Sequence, residues 1–305
     1  MKKRVAVLMG GKSAERDVSL TSGRACLKAL SEAGYDAYAV DVGADIGELM
    51  TVLKPAPDAV FNALHGSDGE DGRMQGLLEL LGIPYTHSGL LASALAMDKA
   101  MAKRVFAAAG IRCPEGRLMN RHELAAGDPM PRPFVIKPND EGSSVGVRIV
   151  LEGDNAPLLA KDWPYGESVL VEPYIPGHEL TVAVMDGKPL AVTELKPHNG
   201  FYDYTAKYTE GKTAHLIPAP VPQVVTDAAL AMARDAHRAL GCRGVSRSDF
   251  RWDDSKPGST GLYLLEVNTQ PGMTPLSLVP EQAAYCGIDF PALVSWMVEH
   301  ARCDG

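Results

Sequence analysis

Residues 244–278, GVSRSDFRWDDSKPGSTGLYLLEVNTQPGMTPLSL, constrain the fold more than any other stretch of the sequence. Residues 246–252 and 262–268 are each rich in strand-forming residues, and the segment between them is rich in Asp, Ser, Pro and Gly. Two such runs separated by turn residues predict a β-hairpin. The loop that follows the second strand, residues 269–274, contains Pro271 and Gly272 and could bring backbone N–H groups close to a substrate.

The polar residues of this hairpin predict a metal site. Side chains alternate along a strand, so Arg247 and Asp249 share one face of the first strand, and Glu266 and Asn268 share one face of the second. If the two faces coincide, two carboxylates and an amide oxygen meet beside an arginine, which suits Mg²⁺. The alternative is an exposed hairpin edge with solvated charges. The same alternation predicts that three residues of the second strand point the other way: Tyr263, Leu265 and Val267.

The whole chain excludes several classes of protein. Its 305 residues are enough for two or three domains, and its net charge of −8 argues against a nucleic-acid partner. No uninterrupted apolar run is long enough to span a bilayer, and the start MKKRVAVLMGG predicts a first strand rather than a signal peptide. The five cysteines are scattered without metal or disulfide spacing, which fits a reducing cytoplasm.

The N-terminal part predicts a parallel sheet. Predicted strands alternate with predicted helices, which indicates βαβ units whose ligands gather at the carboxyl ends of the strands. GGKS is not a P-loop, because the first glycine of that motif would fall on Ala6. Glu15 and His65 lie in the two loops at that edge; the alternatives are a first-turn charge and an ordinary loop histidine. The strands are residues 4–9, 37–42 and 59–62, and the helices residues 19–33 and 46–53.

The middle of the chain predicts a phosphate-binding loop. Residues 133–137 and 147–150 are predicted strands, and the Gly/Ser-containing loop between them could fold over phosphates, with Lys137 at its root. The alternative is a flexible hairpin tip with an exposed lysine. Lys99, in a predicted helix, would by default be a solvated surface lysine. Glu172 and Glu179 at strand ends could hold a ribose and an adenine edge, or could be solvated.

Residues 198–211, HNGFYDYTAKYTEG, are polar, aromatic and without periodicity, and they predict a long functional loop. Taken together with the motifs above, this loop completes a set that resembles the ATP-grasp fold and, within it, the D-alanine–D-alanine ligase family. The resemblance runs nearly end to end and rests on the order of the motifs, since each alone is weak. The matching segments are residues 10–23, 65–72, 97–99, 136–146, 201–208, 247–249 and 266–274, with Ser277 and Leu278.

The resemblance implies an α/β protein with a Rossmann-like N-terminal domain, whose parallel sheet binds substrate, and two α+β ATP-grasp domains that enclose ATP. The expected domains are residues 1–95, 96–185 and 186–305. It further implies ATP as co-substrate, two Mg²⁺ or Mn²⁺ ions, D-alanine as substrate and peptidoglycan precursor synthesis as the role. A homodimer in the cytoplasm, with no nucleic-acid or membrane partner, completes these expectations.

The resemblance also implies a role for each site residue. Lys99, Lys137 and Lys207 would contact the nucleotide phosphates. Adenine and ribose would be held by Glu172, Glu179 and the backbone of Pro173 and Ile175. The metal ligands would be Asp249, Glu266 and Asn268. The oxyanion would be stabilised by Arg247 and the Gly272 N–H. The substrates would be held by Glu15, His65, Ser277 and the Leu278 N–H. Tyr208 would reach Glu15 through Ser143 when the loops close.

Two positions depart from the family pattern, and three rival functions remain open. Pro173 replaces a lysine, so only a carbonyl contact would survive there, and Gln270 is unusual without a predicted effect. The rival enzymes are another ATP-dependent carboxylate–amine ligase and the depsipeptide-forming relative that joins D-alanine to D-lactate. A rival of a different class is a non-catalytic nucleotide-binding regulator, against which the combined polar set of the hairpin weighs. The stereochemistry of the substrate rests on the resemblance alone.

Overall fold

The structure, a computed structural model, describes residues 2–142, 145–159, 163–197 and 213–304. These residues form three sheets. The N-terminal sheet is parallel with strand order β2-β1-β3. Its strands are β1 (Arg4–Gly10), β2 (Asp36–Val42) and β3 (Ala59–Asn62). The helices of this part are α1 (Arg16–Glu32), α2 (Ile46–Val52), α3 (Arg73–Leu81), α4 (Leu90–Met97) and α5 (Lys99–Ala108). The predicted parallel sheet is confirmed, whereas α3 and α4 were not predicted.

The central sheet is antiparallel with strand order β4-β7-β5-β6. Its strands are β4 (Arg117–Asn120), β5 (Phe134–Pro138), β6 (Arg148–Val150) and β7 (Ser168–Pro173), with a 3₁₀ helix at Arg121–Ala126. The pairing of β5 with β6 confirms that a loop joins two strands after Lys137. One face of this sheet is covered by its own small core, which includes Phe134, Ile136 and Trp163.

The C-terminal sheet is antiparallel with strand order β10-β9-β8-β11-β12. Its strands are β8 (His178–Met185), β9 (Lys188–Pro197), β10 (Thr213–Leu216), β11 (Val245–Trp252) and β12 (Leu262–Asn268). Its helices are α6 (Gln223–Ala239), α7 (Leu278–Tyr285) and α8 (Phe290–Glu299). The β11–β12 hairpin confirms the main prediction from the sequence.

The strands β8 and β9 form a hairpin within this sheet, closed by Asp186 and Gly187. Both residues have positive φ, 52° and 69°, as a two-residue turn with the twist of a hairpin requires. The expected domain boundary between residues 185 and 186 therefore falls between two hydrogen-bonded neighbours of one sheet. Sheet membership favours a boundary before His178, and the division into three domains stays a prediction.

The register of β12 differs from the simple alternation expected from the sequence. Asp249 pairs with Glu266, but the next pair is Phe250 with Leu264, so Leu265 is an extra residue in a β-bulge. N-terminal to the bulge, the side chains of β12 therefore point to the opposite faces from those that simple alternation predicts. Val267 is buried on the opposite face as predicted, whereas the prediction is wrong for Tyr263 and Leu265, which are only half-buried; Leu265 lines the same cleft as Glu266.

One hydrophobic core connects the N-terminal and C-terminal sheets. It contains Val5 and Phe61 from the first sheet, Val245 from the third, and Met297 from α8, all at most 2% exposed. A buried arginine, Arg243, joins the same regions by donating to the carbonyl of Tyr85 at 3.1 Å. The N-terminal sheet is thereby held against the C-terminal sheet. No helix in the described ranges is both long and apolar enough to cross a membrane.

We expect this packing to be sensitive to acid because it buries neutral histidines. Burial lowers the pKa of His87 to about 3 and that of His237 to about 4. The unfolded chain takes up these protons near pH 6.5, so the free energy of unfolding falls as the pH drops below that value. Between pH 7 and pH 5, His87 should account for a loss of about 2 kcal/mol.

The variant His87→Asn tests this expectation, because asparagine tolerates the positive φ of 68° at this position. Urea unfolding at pH 7 and pH 5 should show that the variant loses about 2 kcal/mol less stability on acidification than the unmodified chain. His122→Asn, at a histidine whose side chain is 72% exposed, is the control. Equal acid sensitivity of His87→Asn and the unmodified chain would contradict the assignment.

Candidate active site

A cleft of about 800 Å³, open to solvent, lies between the central and C-terminal sheets. Among the described residues it brings together eight predicted site residues from five strands, one helix and a loop. They are Lys99, Lys137, Glu172, Pro173, Ile175, Glu179, Asp249 and Glu266. Its walls also include apolar side chains, among them Val135, Val147, Ile149 and Leu265. A cleft with apolar walls and converging charges suits a nucleotide, whose base is flat and whose phosphates are charged.

The lysines of this cleft are buried, so the alternative of solvated surface lysines is wrong. Lys99 is 8% exposed and Lys137 is 7% exposed. The Lys99 ammonium donates to the carbonyl of Glu141 at 2.5 Å and lies 3.8 Å from Glu266 Oε2. Burial lowers the pKa of Lys99, whereas the neighbouring Glu266 carboxylate raises it. Desolvated cations gain more from an incoming phosphate than solvated ones do, because less water screens them.

Glu172 lies at the back of the cleft between two lysines. Its carboxylate is 3% exposed and accepts from Lys137 Nζ at 2.5 Å and, through its other oxygen, from Lys103 Nζ. Burial alone would raise the pKa of Glu172, but Lys137 and Lys103 together bring it below its ordinary value. Glu172 is therefore held as a carboxylate, and it can accept a hydrogen bond from an amino group at the end of the cleft.

Lys103 was missed by the sequence analysis, although a signal for it exists. It follows Lys99 by four residues on α5, so both lysines lie on one face of the helix. Its ammonium is fixed at 2.8 Å from the carbonyl of Pro114 and by the ion pair with Glu172. Burial lowers the pKa of Lys103, and the Glu172 carboxylate opposes this effect. Lys103 does not line the cleft but holds Glu172 from behind.

We expect Lys103→Met to raise the KM for ATP by about tenfold or more while kcat changes less, because Glu172 keeps only one of its two cations. Loss of one partner of a buried charge costs several kcal/mol, part of which relaxation recovers. Lys103→Arg should restore part of the affinity. Lys256→Met, at a lysine whose side chain is 45% exposed, is the control. An unchanged KM in steady-state kinetics of Lys103→Met would show that Lys103 has no part in nucleotide binding.

The outer end of the cleft is formed by neighbouring strands. Arg251 pairs with Glu179 across β11 and β8, with 3.6 Å between Nη1 and Oε2. Arg251 also donates to the carbonyl of Ile175 at 3.0 Å, so this carbonyl already has a protein partner. Pro173 ends β7 in an exposed position. Arg251 was missed, although Arg247, Asp249 and Arg251 alternate along one strand and predict a shared face.

The polar face of the hairpin is formed as the sequence predicts. Asp249 accepts from Arg247 Nε at 2.8 Å and Nη2 at 2.7 Å, and from Asn268 Nδ2 at 3.0 Å. In the ladder, Asp249 lies opposite Glu266, and Arg247 lies opposite Asn268. Glu266 is 25% exposed on the cleft side. The alternative of solvated charges at an exposed edge is wrong, since the side chains of Arg247 and Asp249 are only 15% and 16% exposed.

Two predicted substrate residues lie at the carboxyl edge of the N-terminal sheet. Glu15 is 7% exposed and His65 is 5% exposed. The Gly142 backbone comes so close that a methyl group on Gly142 would be 3.2 Å from Glu15 Oε2. His65 Nδ1 lies 2.7 Å from Glu70 Oε1, and its Nε2 lies 3.2 Å from Ser22 Oγ. Glu15 is thus adjacent to the loop that follows Lys137, and it is not a solvated first-turn charge.

The loop after β12 faces this edge. Met273 N donates to Ser22 Oγ at 3.3 Å, so Ser22 joins the His65 loop to the residue after Gly272. A methyl group on Gly272 would come within 2.9 Å of Ser277 Oγ, which itself accepts from Thr274 N at 2.9 Å. Leu278 begins α7, directly after Ser277. Three predicted site residues, Ser143, Lys207 and Tyr208, lie outside the described residues.

Known proteins resemble this chain over its whole length. Family models described as D-ala D-ala ligase N-terminus and D-ala D-ala ligase C-terminus match residues 48–88 and 119–299. The D-alanine–D-alanine ligase of Acidiphilium cryptum (strain JF-5) is 60% identical, with 99% of both chains covered. That of Paramagnetospirillum magneticum (strain ATCC 700264 / AMB-1) is 59% identical, with both chains covered completely.

A solved structure agrees with these relatives. The crystal structure of D-alanine–D-alanine ligase from Bacillus anthracis complexed with ATP has a TM-score of 0.82 and 33% identity, covering 98% of this chain and 96% of that one. The two antiparallel sheets on either side of the charged cleft, with the parallel sheet beside them, define an ATP-grasp enzyme. The chain belongs to the D-alanine–D-alanine ligase family.

Proposed function

We propose that this chain joins two D-alanine molecules to D-alanyl-D-alanine, with ATP as co-substrate and through an acyl-phosphate intermediate. The dipeptide would serve peptidoglycan precursor synthesis. The observation that carries the proposal is the meeting of three regions. The buried lysines of the cleft, the carboxylates of the hairpin and the Glu15–His65 edge adjoin one another. Relatives at 59–60% identity carry the name of this activity over the whole length of the chain.

In the first step, the carboxylate of one D-alanine attacks the γ-phosphate of ATP, and ADP leaves. Phosphoryl transfer needs positioning and charge neutralisation more than covalent help from the protein. Lys99 and Lys137, both buried, would neutralise the phosphates, and Lys207 would add a third cation. Glu172 and Glu179 would hold the adenine and the ribose. The carboxylate of Glu15 would bind the ammonium group of the first D-alanine, with His65 beside it.

The hairpin carboxylates fit a divalent metal. Asp249, Glu266 and Asn268 offer hard oxygen atoms from adjacent ladder positions, which Mg²⁺ or Mn²⁺ prefers. Asn268 turns its amide nitrogen to Asp249, which directs its amide oxygen elsewhere. The described residues contain no group of three or more His, Cys, Asp or Glu placed to hold a metal ion, so water and phosphate oxygens would complete the coordination of two ions. Bound metal would neutralise charge on the transferring phosphate.

In the second step, the amine of another D-alanine attacks the acyl carbon of the intermediate. The C–N bond forms, the C–O bond to phosphate breaks, and inorganic phosphate and a proton are released. Arg247 and the Gly272 N–H would stabilise the negative oxygen of the tetrahedral intermediate. Ser277 Oγ and the Leu278 N–H would hold the carboxylate of this second D-alanine. Ser277 Oγ would lie 2.9 Å from a methyl group on Gly272, and this closeness supports the assignment of the two roles to neighbouring groups.

The rival ligases are separated by their substrates. ADP release should be stimulated by D-alanine and not by L-alanine or other L-amino acids in a panel assayed with ATP and Mg²⁺. If no D-amino acid stimulates ADP release, the assignment fails, and stimulation by an unrelated carboxylic acid would favour another carboxylate–amine ligase. When D-alanine and D-lactate compete, dipeptide should predominate; a depsipeptide as main product would favour the other relative.

Assembly and location complete the proposal. The family expectation of a homodimer stays a prediction, which sedimentation of the purified chain would test. A reducing cytoplasm is supported by the five cysteines, all of which are unpaired: Cys26, Cys113, Cys242, Cys286 and Cys303. Neither a nucleic acid nor a membrane is proposed as a partner, given the net charge of −8.

A further inference from the structure

Gln270 lies in the loop after β12, and its side chain reaches across to the N-terminal sheet. The residue is 2% exposed, and its two side-chain partners, Asn62 and Gln75, are fully buried. Asn62 ends β3 and Gln75 lies on α3, so the contact joins elements that are about two hundred residues apart in the chain. No role in the reaction follows for Gln270 from the site residues described above.

Both the oxygen and the nitrogen of the Gln270 amide make hydrogen bonds. Its Oε1 accepts from Asn62 Nδ2 at 2.9 Å and from Gln75 Nε2 at 3.3 Å. Its Nε2 donates to the carbonyl of Leu64, the residue before His65. Asn62 and Gln75 also donate to the carbonyl of Gly69, at 3.2 Å and 2.8 Å. The two ends of the His65 loop are therefore fixed by one cluster of buried amides whose centre is Gln270.

A second contact joins the same two loops on the other side of Gly272. The Met273 N–H donates to Ser22 Oγ, which lies 3.2 Å from His65 Nε2. Hydrogen bonds at Gln270 and at Met273 thus hold the chain on either side of Gly272, and they connect it to the His65 loop directly at Leu64 and through Ser22 at His65. A hydrogen-bonded group on each side restricts the loop far more than either one alone, because rotation about a single contact is removed.

We propose that Gln270 is a positioning residue, which fixes the position of the Gly272 N–H and Ser277 relative to the first-substrate site at Glu15 and His65. This inference rests on the proposed function. Correct relative position of the two sites brings the second amine within reach of the acyl carbon before water attacks it. Attack by the amine forms the C–N bond and releases phosphate, whereas attack by water forms a C–O bond and returns D-alanine with the same release of phosphate. If the relative position of the two sites is less fixed, the enzyme therefore consumes ATP without forming dipeptide.

The chain provides a matched control for the removal of this amide. Gln282 on α7 is also fully buried and also makes three hydrogen bonds, with the Ala183 N–H, the Thr181 carbonyl and Thr193 Oγ1. These bonds join α7 to β8 and β9 and do not involve the His65 loop. Methionine has a similar length and shape to glutamine, so Gln270→Met and Gln282→Met each delete three amide hydrogen bonds with little change in volume.

The test compares the ratio of phosphate released to dipeptide formed, together with the KM for each D-alanine. Gln270→Met should raise the ratio from about one to several, and should raise the KM for the second D-alanine about tenfold while the KM for ATP stays within about twofold. Gln282→Met should lower the melting temperature to a similar extent and keep the ratio near one. A ratio near one in Gln270→Met, or equal ratios in both variants, would overturn the proposal.

Hydrogen exchange separates this inference from the proposed function, because it requires no turnover. In Gln270→Met, amides of residues 64–70 and 272–274 should exchange faster together than in the unmodified chain, and in Gln282→Met they should not. If the unmodified chain shows no ADP release with D-alanine, the proposed function fails irrespective of this result. If exchange in both loops is unchanged in Gln270→Met, the positioning role itself is wrong.

Discussion

Replacing Arg247 by methionine should reduce kcat roughly 10²–10³-fold, the loss expected when one donor to a developing oxyanion is removed. Arg247 contacts Asp249 with two nitrogens and its side chain is only 15% exposed, so water cannot take its place without reorganising the site. Arg247→Lys should recover only part of the rate, because an ammonium cannot make the same two parallel contacts.

The loss must be separated from an effect on the metal, since Arg247 neutralises a proposed metal ligand. Measuring kcat at saturating Mg²⁺ removes this ambiguity, because removal of a cation beside Asp249 should not weaken metal binding there. Arg243→Met is the matched control. This arginine is also buried, at 8% exposed, and it donates to Tyr85 and Asp304, which do not line the cleft. It should lower stability while kcat of the folded protein is kept. A kcat within threefold of the unmodified chain in Arg247→Met would remove the arginine from the oxyanion site.

The second large effect is expected at Glu266. Glu266→Gln should raise the Mg²⁺ concentration needed for half-maximal activity by at least about tenfold, equivalent to 1.4 kcal/mol, because one anionic oxygen ligand is replaced by a neutral one. Asp249→Asn should act in the same direction. Both carboxylates lie at the solvent-facing cleft, so the fold should persist in each variant, as circular dichroism would show.

Glu79→Gln is the control for these variants, because Glu79 is a half-buried carboxylate on α3 that accepts from Tyr85 Oη at 2.7 Å. It should leave the Mg²⁺ titration unchanged. Removing Glu266 also takes away the carboxylate that raises the pKa of Lys99. Lys99 of Glu266→Gln should therefore lose its proton at a lower pH. As the pH is raised, the activity of this variant should decline earlier than the activity of the unmodified chain. An unchanged Mg²⁺ titration in both Glu266→Gln and Asp249→Asn would exclude them as ligands.

The hairpin of the site was predictable because local signals agreed. Strand-forming runs, a turn-rich connection and alternating polar residues all point to one arrangement of Arg247, Asp249, Glu266 and Asn268, and the ladder confirms it. The bulge at Leu265 was not predictable from this alternation. One inserted residue reverses the faces before it without changing the composition of the strand, so only the pairing with β11 reveals it.

The residues that support the site were harder to predict than those that line it. Lys103 and Gln270 act through buried contacts with Glu172 and Asn62, partners that lie 69 and 208 residues away in the chain. Such contacts depend on how sheets pack together, which no local pattern encodes. Helix α3 was missed for a different reason, because its first residues follow the HGSDGEDG loop without a side-chain cap.

An oxygen isotope can show whether a D-alanine carboxylate is activated by phosphorylation and then joined to a second D-alanine. D-alanine labelled with ¹⁸O in its carboxylate is incubated with the chain, ATP and Mg²⁺, and the dipeptide and the inorganic phosphate are analysed by mass spectrometry. One ¹⁸O atom should appear in phosphate for each D-alanyl-D-alanine formed, with one ADP released. Dipeptide with unlabelled phosphate, or label in AMP, would exclude activation of the carboxylate by transfer of the γ-phosphate.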